Sequence, residues 1–160
     1  MNLKVKNAVI VGYHEIGCII MDQLLANKIN VKLIIGNYQK HRTQTNTWYR
    51  DVIDYAKKQK IKVVETSTLD SPRIYKILKK VKPDIIFSSF TGLIFSEKII
   101  KIAKYGCFNF HNADLPNNRG RGAPIFSLMQ RKNMTAMTLH WITPKIDRGP
   151  IVDQEFFKIE

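Results

Sequence analysis

Short β-branched runs and helically spaced apolar positions alternate along most of this chain. Asn7–Tyr13 (NAVIVGY) and Asn30–Gly36 (NVKLIIG) are nearly continuous apolar runs, the pattern of parallel strands buried on both faces. Between them, Glu15–Asn27 puts Ile16, Ile20 and Leu24 on one helical face, with Ile19 and Leu25 flanking it. Residues 37–47 (NYQKHRTQTNT) are polar and non-periodic, as in a surface loop. Trp48–Gln59 reads as a helix with Val52, Ile53 and Ala56 inward, and Lys62–Glu65 as a brief strand. The next helix is punctuated. Ser71 is its N-cap, Pro72 takes the first position, Ile74, Ile77, Leu78 and Val81 keep the helical spacing, and Pro83 stops it.

Asp84–Ser89 is then a buried strand, Ser96–Lys104 a helix and Cys107–Phe110 a short strand. Pro124–Arg131 reads as helical, Thr135–Ile142 as an alternating strand and Ile151–Ile159 as a last strand. This order predicts an α/β fold: a Rossmann-like, mostly parallel, doubly wound sheet with helices on both faces and an irregular C-terminal strand section. No repeat, low-complexity tract or linker divides the 160 residues, which read as one domain with no C-terminal accessory domain.

The apolar share of 44% excludes a disordered tail and a collagen-like repeat. Runs such as Ala8–Gly12 and Leu33–Ile35 fall far short of the ~20 residues that span a bilayer. The basic start at Met1–Lys6 precedes an apolar run too short for a signal-peptide core. A cytoplasmic protein without a membrane span is expected. Cys18 and Cys107 lack Cys-x-x-Cys pairing, so they read as two small buried residues rather than as a disulfide or a zinc site.

Charge changes the picture more. Twenty-six Lys and Arg against 13 Asp and Glu leave +13, a balance that favours polyanionic partners. Much of it lies in Lys57, Lys58 and Lys60 and in Lys76, Lys79, Lys80 and Lys82, which read as solvated helix faces. A nucleic acid is not the expected partner.

The turn Gly12-Tyr-His-Glu-Ile-Gly17 lacks the closely spaced glycines of a dinucleotide loop, and no Gly-Lys-Ser/Thr phosphate loop follows it. The informative stretch is Gly106–Pro124 (GCFNFHNADLPNNRGRGAP). There Asn109 and His111 alternate on a strand and point to the same side, at its carboxyl end, where α/β sheets form their crevice. Asp147, followed by Arg148-Gly149-Pro150, is held by a turn. His140, His14 and His41 read as strand, helix-start or loop residues, and Trp141 as packing.

Together these segments resemble the folate-dependent formyltransferases, whose pattern is Asn-x-His, a Leu-Pro and Arg-Gly loop, then an Asp just before a Gly-Pro or similar turn. Here it is met by Asn109-Phe-His111, Leu115-Pro116, Arg119-Gly120 and Asp147-Arg-Gly149-Pro150. The likeness covers nearly all of the chain. It is nearest to the sugar-nucleotide branch, which includes the formyltransferase domains of bifunctional polymyxin-resistance enzymes. GYHEIGC at 12–18, GCFNFH at 106–111, RGRGAP at 119–124 and TLH at 138–140 carry it. The chain departs from the family at Asn112-Ala113-Asp114, in a longer Arg-Gly-Arg-Gly loop and in Ala136 where a Gly is usual.

The resemblance implies a Rossmann-like formyltransferase fold, N10-formyltetrahydrofolate as formyl donor, and no metal. It implies Asn109, His111 and Asp147 as catalytic residues. The pterin pocket would be made by Leu93, Ile94 and Phe95 and by Thr143, Pro144, Lys145, Ile146 and Asp147. Arg119 and Arg121 would meet an anionic acceptor, expected to be a nucleotide-linked amino sugar of the 4-amino-4,6-dideoxy or 4-amino-4-deoxy type. Such a product serves cell-surface polysaccharide, O-antigen or lipopolysaccharide synthesis, and a homodimer is compatible with it. Glycinamide ribonucleotide or methionyl-tRNA as acceptor stays open, as does an inactive basic binding module of the same fold. The tRNA enzymes carry an added C-terminal barrel for which no residues remain here. The purine enzymes usually have a Gly-Ser-Asn loop where this chain has Tyr13-His14-Glu15.

Overall fold

The computed structural model describes residues 4–37, 49–130 and 133–159. The polar loop expected at 37–47, with His41 in it, and the Trp48 start of the second helix lie almost wholly outside the described residues. Seven strands form one sheet in the order β3-β2-β1-β4-β5-β6-β7. These are β1 (Asn7–Gly12), β2 (Asn30–Asn37), β3 (Val63–Thr66), β4 (Ile85–Ser89), β5 (Cys107–His111), β6 (Met134–Trp141) and β7 (Ile151–Lys158). The first five pair in parallel, and β5–β6 and β6–β7 pair antiparallel. The expected mostly parallel sheet with a distinct C-terminal section is therefore present.

The alternation of side chains along each strand divides the core in two. Val9, Val11, Leu33, Ile35 and Ile86 pack on one face with Ile74 and Leu78 of α3 (Pro72–Val81) and Ile99 of α4 (Glu97–Ile100). Ala8, Ile10 and Ile34 pack on the other with Cys18, Ile20, Met21 and Leu24 of α1 (Glu15–Ala26) and Val52, Ile53 and Ala56 of α2 (Val52–Lys58). Helices thus cover both faces, as a right-handed parallel crossover requires.

Cys18 and Cys107 are free and buried, and burial pushes both thiols up to about 12. Ser71 caps α3 as expected, its hydroxyl accepting from the Ile74 N–H at 3.2 Å. In α1, however, Ile19 and Leu25 are exposed, and Gly17, Cys18 and Met21 share the buried face instead.

Two helices are shorter than their patterns predict. The second starts at Val52 because the Asp51 carboxylate accepts from the N–H groups of Ile53 and Asp54, an N-cap that the apolar spacing alone does not mark. The helix expected over Ser96–Lys104 ends at Ile100. There the chain must descend to start β5 beside β4. The N–H groups of Lys104 and Tyr105 bond the carbonyls of Pro83 and Asp84 rather than continuing the helix.

Candidate active site

The site lies at the seam where the parallel and antiparallel parts of the sheet meet. In the β5–β6 register Asn109 stands opposite His140 and His111 opposite Thr138. A cleft of about 680 Å³ opens there, within the usual range for small-molecule sites. Its walls include residues 90–95 after β4, Asn109 and His111, His140, residues 142–147, and Arg121 from the loop before α5 (Ala123–Met129). Every residue expected at the pterin pocket lines this cleft: Leu93, Ile94, Phe95, Thr143, Pro144, Lys145, Ile146 and Asp147. Leu93 and Phe95 are buried beneath it, while Ile94 and Ile146 stand exposed at its mouth.

Asp147 is held from several sides. Its φ of 48° is left-handed, a conformation that Asp tolerates better than most residues. The Gly120 N–H donates to Oδ2 at 2.8 Å, and Arg119 Nε donates to the Asp147 carbonyl at 3.1 Å. The turn behind it is tight, since a Cβ on Gly149 would stand 1.7 Å from the Trp141 carbonyl oxygen. The Trp141 N–H bonds the Pro150 carbonyl at 2.9 Å and closes the turn. Gly149 is thus required by close approach of backbone, which explains the Asp-Arg-Gly-Pro spelling.

The carboxylate sits between two imidazoles. His111 Nδ1 is 3.6 Å from Oδ2, and His140 Nε2 is 3.5 Å from Oδ1. Burial pushes the Asp147 carboxyl up, but the hydrogen bond from the Gly120 N–H and the positive charge that the facing His111 can carry outweigh it. The net shift is downward, so the group stays ionised near neutral pH. His111 Nε2 lies 2.7 Å from the Asn118 carbonyl, so this nitrogen carries a hydrogen. His111 Nδ1, beyond hydrogen-bond distance of Asp147, is the nitrogen available toward the cleft.

The loop that carries Asn118 and Gly120 is braced from below. Thr138 Oγ1 donates to the Ala113 carbonyl at 2.7 Å, and Gln154 Nε2 bonds Thr138 Oγ1 at 2.7 Å and the Leu115 carbonyl at 3.0 Å. The Asn118 carboxamide donates to Asp114 and to Ser127. Asn112-Ala113-Asp114, where the chain departs from the family pattern, is therefore a structured foundation. Ala136 is fully buried and stands opposite Phe156 in the β6–β7 register.

The structure separates the two arginines expected together at the acceptor. Arg121 lines the cleft, and its guanidinium reaches so near Gly92 that a Cβ there would stand 2.8 Å away. Arg119 lies outside the cleft lining and braces the Asp147 backbone instead. His140, read from the sequence as an ordinary strand residue, is 2% exposed, 3.1 Å from Asn109 Nδ2 and beside Asp147. Its spacing of seven before Asp147 is visible in the sequence, but not its facing partner. His14 precedes α1 with its ring stacked between Tyr49 and Phe90 at 3.7 and 4.5 Å. Trp141 packs against Phe108 at 4.4 Å, as expected. Among the described residues no group of three His, Cys, Asp or Glu could hold a metal ion, and no helix is long and apolar enough to cross a membrane.

The formyl transferase family profile matches residues 5–160. The bifunctional polymyxin resistance protein ArnA of Wigglesworthia glossinidia brevipalpis is 36% identical over 152 residues, which are 95% of this chain and 23% of that protein. The chain therefore spans about a quarter of the length of this curated relative. Among solved structures, phosphoribosylglycinamide formyltransferase from Bacillus halodurans matches with a TM-score of 0.79 at 19% identity, covering 97% of this chain and 81% of that one. WlaRD, a sugar 3N-formyl transferase solved in the presence of dTDP and 5-N-formyl-THF, matches with a TM-score of 0.72 at 23% identity, covering 99% of this chain and 54% of that one.

Proposed function

We propose, from the premise that this chain belongs to the formyl transferase family, that it moves a formyl group from N10-formyltetrahydrofolate to the amine of a nucleotide-linked amino sugar. The observation that carries this reading is the convergence of Asn109, His111 and Asp147 on one cleft lined by both segments expected to hold a pterin. The apolar side chains of Leu93, Phe95 and Ile142 and the polar edges of residues 143–147 suit a flat heteroaromatic ring with hydrogen-bonding edges. When bound, the donor supplies an activated formyl carbon.

The chain's own residues do the rest. Asn109 directs an amide N–H, and His111 its Nδ1–H when protonated, toward an oxygen that gains negative charge as the amine attacks. Asp147, ionised and fixed by the Gly120 N–H, is the base that takes the proton released by the amine, directly or through water, and a proton goes to the departing donor nitrogen as its bond to the formyl carbon breaks. Arg121 offers a planar two-pronged grip for phosphate oxygens, and Arg119 holds the Asp147 loop in place.

The amino-sugar acceptor is supported by the ArnA relative and by the matching segments at 12–18, 106–111, 119–124 and 138–140. A role in cell-surface polysaccharide or lipopolysaccharide synthesis rests on the same relative. Glycinamide ribonucleotide is the second reading, because the fold resembles the purine enzymes at least as well. Against it stands Tyr13-His14-Glu15 after β1.

The test gives the protein a nucleotide-linked 4-amino sugar, glycinamide ribonucleotide and charged initiator tRNA in parallel, with release of tetrahydrofolate followed. Formylation of the amino sugar is expected, and efficient formylation of either other acceptor with none of the sugar overturns the assignment. Arg121→Ala should raise the acceptor KM by about 10-fold or more, the loss of a bidentate charged contact, and leave the donor KM nearly unchanged.

A further inference from the structure

His140 is almost fully buried in the cleft wall, yet the chemistry above gives it no task. Its Nδ1 lies 2.8 Å from the Trp141 carbonyl oxygen. A carbonyl only accepts, so Nδ1 carries a hydrogen. That leaves Nε2 with a single in-plane position and two groups facing it: Asn109 Nδ2 at 3.1 Å and Asp147 Oδ1 at 3.5 Å. As a lone pair, this position accepts from Asn109. As an N–H, it donates to Asp147 and turns a donor against the Asn109 amide. The shorter contact falls within hydrogen-bond range, and the longer one lies beyond it.

We infer that His140 is a positioning residue for the Asn109 donor: held as the neutral Nδ1–H tautomer, it accepts one Nδ2–H of Asn109 and fixes the carboxamide with its other N–H free for the cleft. The inference rests on the proposed function, in which Asn109 donates to a developing negative charge. A carboxamide can turn through 180° about its terminal bond, and the wrong orientation would present an oxygen to that charge. Locking the ring locks the amide. The lock is built from backbone: Asn109 and His140 are direct cross-strand partners, and the ring nitrogen is tied to the carbonyl of the next residue on the same strand.

His111 is tied the opposite way. Its Nε2 is the pinned donor, on the Asn118 carbonyl, and its Nδ1 faces Asp147 Oδ2. The two imidazoles around one carboxylate are therefore held in complementary tautomers. One is spent on orienting the amide, and the other is left to exchange a proton with Asp147.

Nitrogen-15 NMR of the imidazole rings in the wild-type protein tests this without any substrate. The expected spectrum near neutral pH has His140 Nδ1 protonated and Nε2 bare, with the Nε2 resonance displaced in Asn109→Leu. A protonated Nε2, alone or with Nδ1, overturns the inference. Kinetics supply the second arm. His140→Ala should lower kcat by about 10–100-fold, approaching the loss of one oxyanion donor, with the donor KM changed by less than about 3-fold.

In His140→Gln the side-chain oxygen can take the same Asn109 N–H, so kcat should return to within a few-fold of wild type. Equal losses in the two variants, both shown to be folded by thermal denaturation, overturn the role. A wild-type protein that formylates no acceptor would sink the functional reading instead, and the tautomer measurement would still decide the hydrogen-bond assignment.

Discussion

The parallel strands and the C-terminal hairpin are built on different terms. Along β1 and β2 most residues are buried, because helices lie against both faces of the sheet. Along β7 nearly every side chain is exposed, Val152, Phe156 and Phe157 among them, and the strand is held by its ladder to β6. Stability is thus concentrated in one region. The chemistry lies where the two meet. A parallel strand delivers only its carboxyl end to the crevice. An antiparallel neighbour runs back past that end, so β6 sets His140 directly beside Asn109, and the turn after it returns Asp147 to His111. A site at such a seam draws groups from mid-strand as well as from loops.

The sharpest contrast is in stability. Ile86→Ala empties a fully buried position at the centre of the sheet and should cost about 2–5 kcal/mol in denaturant unfolding, whereas Phe156→Ser on the exposed strand should change stability by about 0.5 kcal/mol or less. Equal effects would show that the hairpin belongs to the core after all.

Next in size is catalysis at the seam. His111→Ala, Asn109→Ala and Asp147→Ala should each reduce kcat by at least ~100-fold while leaving most of the folding stability in place, and their losses should not add. Turnover close to normal in His111→Ala would end the mechanism.

Gly149→Ala sharpens the comparison further, since it touches neither the core nor the reacting groups. The Trp141 carbonyl leaves no room for a Cβ there, so the turn must shift and carry Asp147 with it. A fall in kcat of about 10-fold is expected, in line with the sensitivity of catalysis to misplacement of about an ångström. Unchanged kinetics would mean that the turn does not set the position of the carboxylate.

The smallest effect is the dependence on acid. Asp147 titrates below the ordinary carboxylate range in the folded protein, because the Gly120 N–H and the facing His111 overcome its burial. Its contribution to stability is therefore complete above that range and fades only as pH falls through the lowered value. The part of the stability difference between the wild type and Asp147→Asn that comes from ionised Asp147 should be retained down to about pH 5 and be lost below about pH 4. Its loss already near pH 6 would place the sensitive group elsewhere.

Much of this architecture is legible one segment at a time. The apolar runs at 7–13 and 30–36, the capped helix after Ser71 and the alternation of strands and helices all report burial, which hydrophobic spacing records locally. The same holds for Asn109 and His111, two residues apart on one strand, and for the turn glycine behind Asp147. The premature end of α4 was not legible, because backbone carbonyls of Pro83 and Asp84, distant in sequence, claim the N–H groups there.

Nor were the different duties of Arg119 and Arg121, which share a loop but reach different partners. His140 shows the limit most plainly. Its place on a strand follows from the sequence, but its meaning depends on the β5–β6 register and on the carbonyl that fixes its tautomer. Periodicity determines which side of a strand a residue occupies, and only the folded sheet decides which group from another strand stands 3.1 Å away and which hydrogen the ring must carry to meet it.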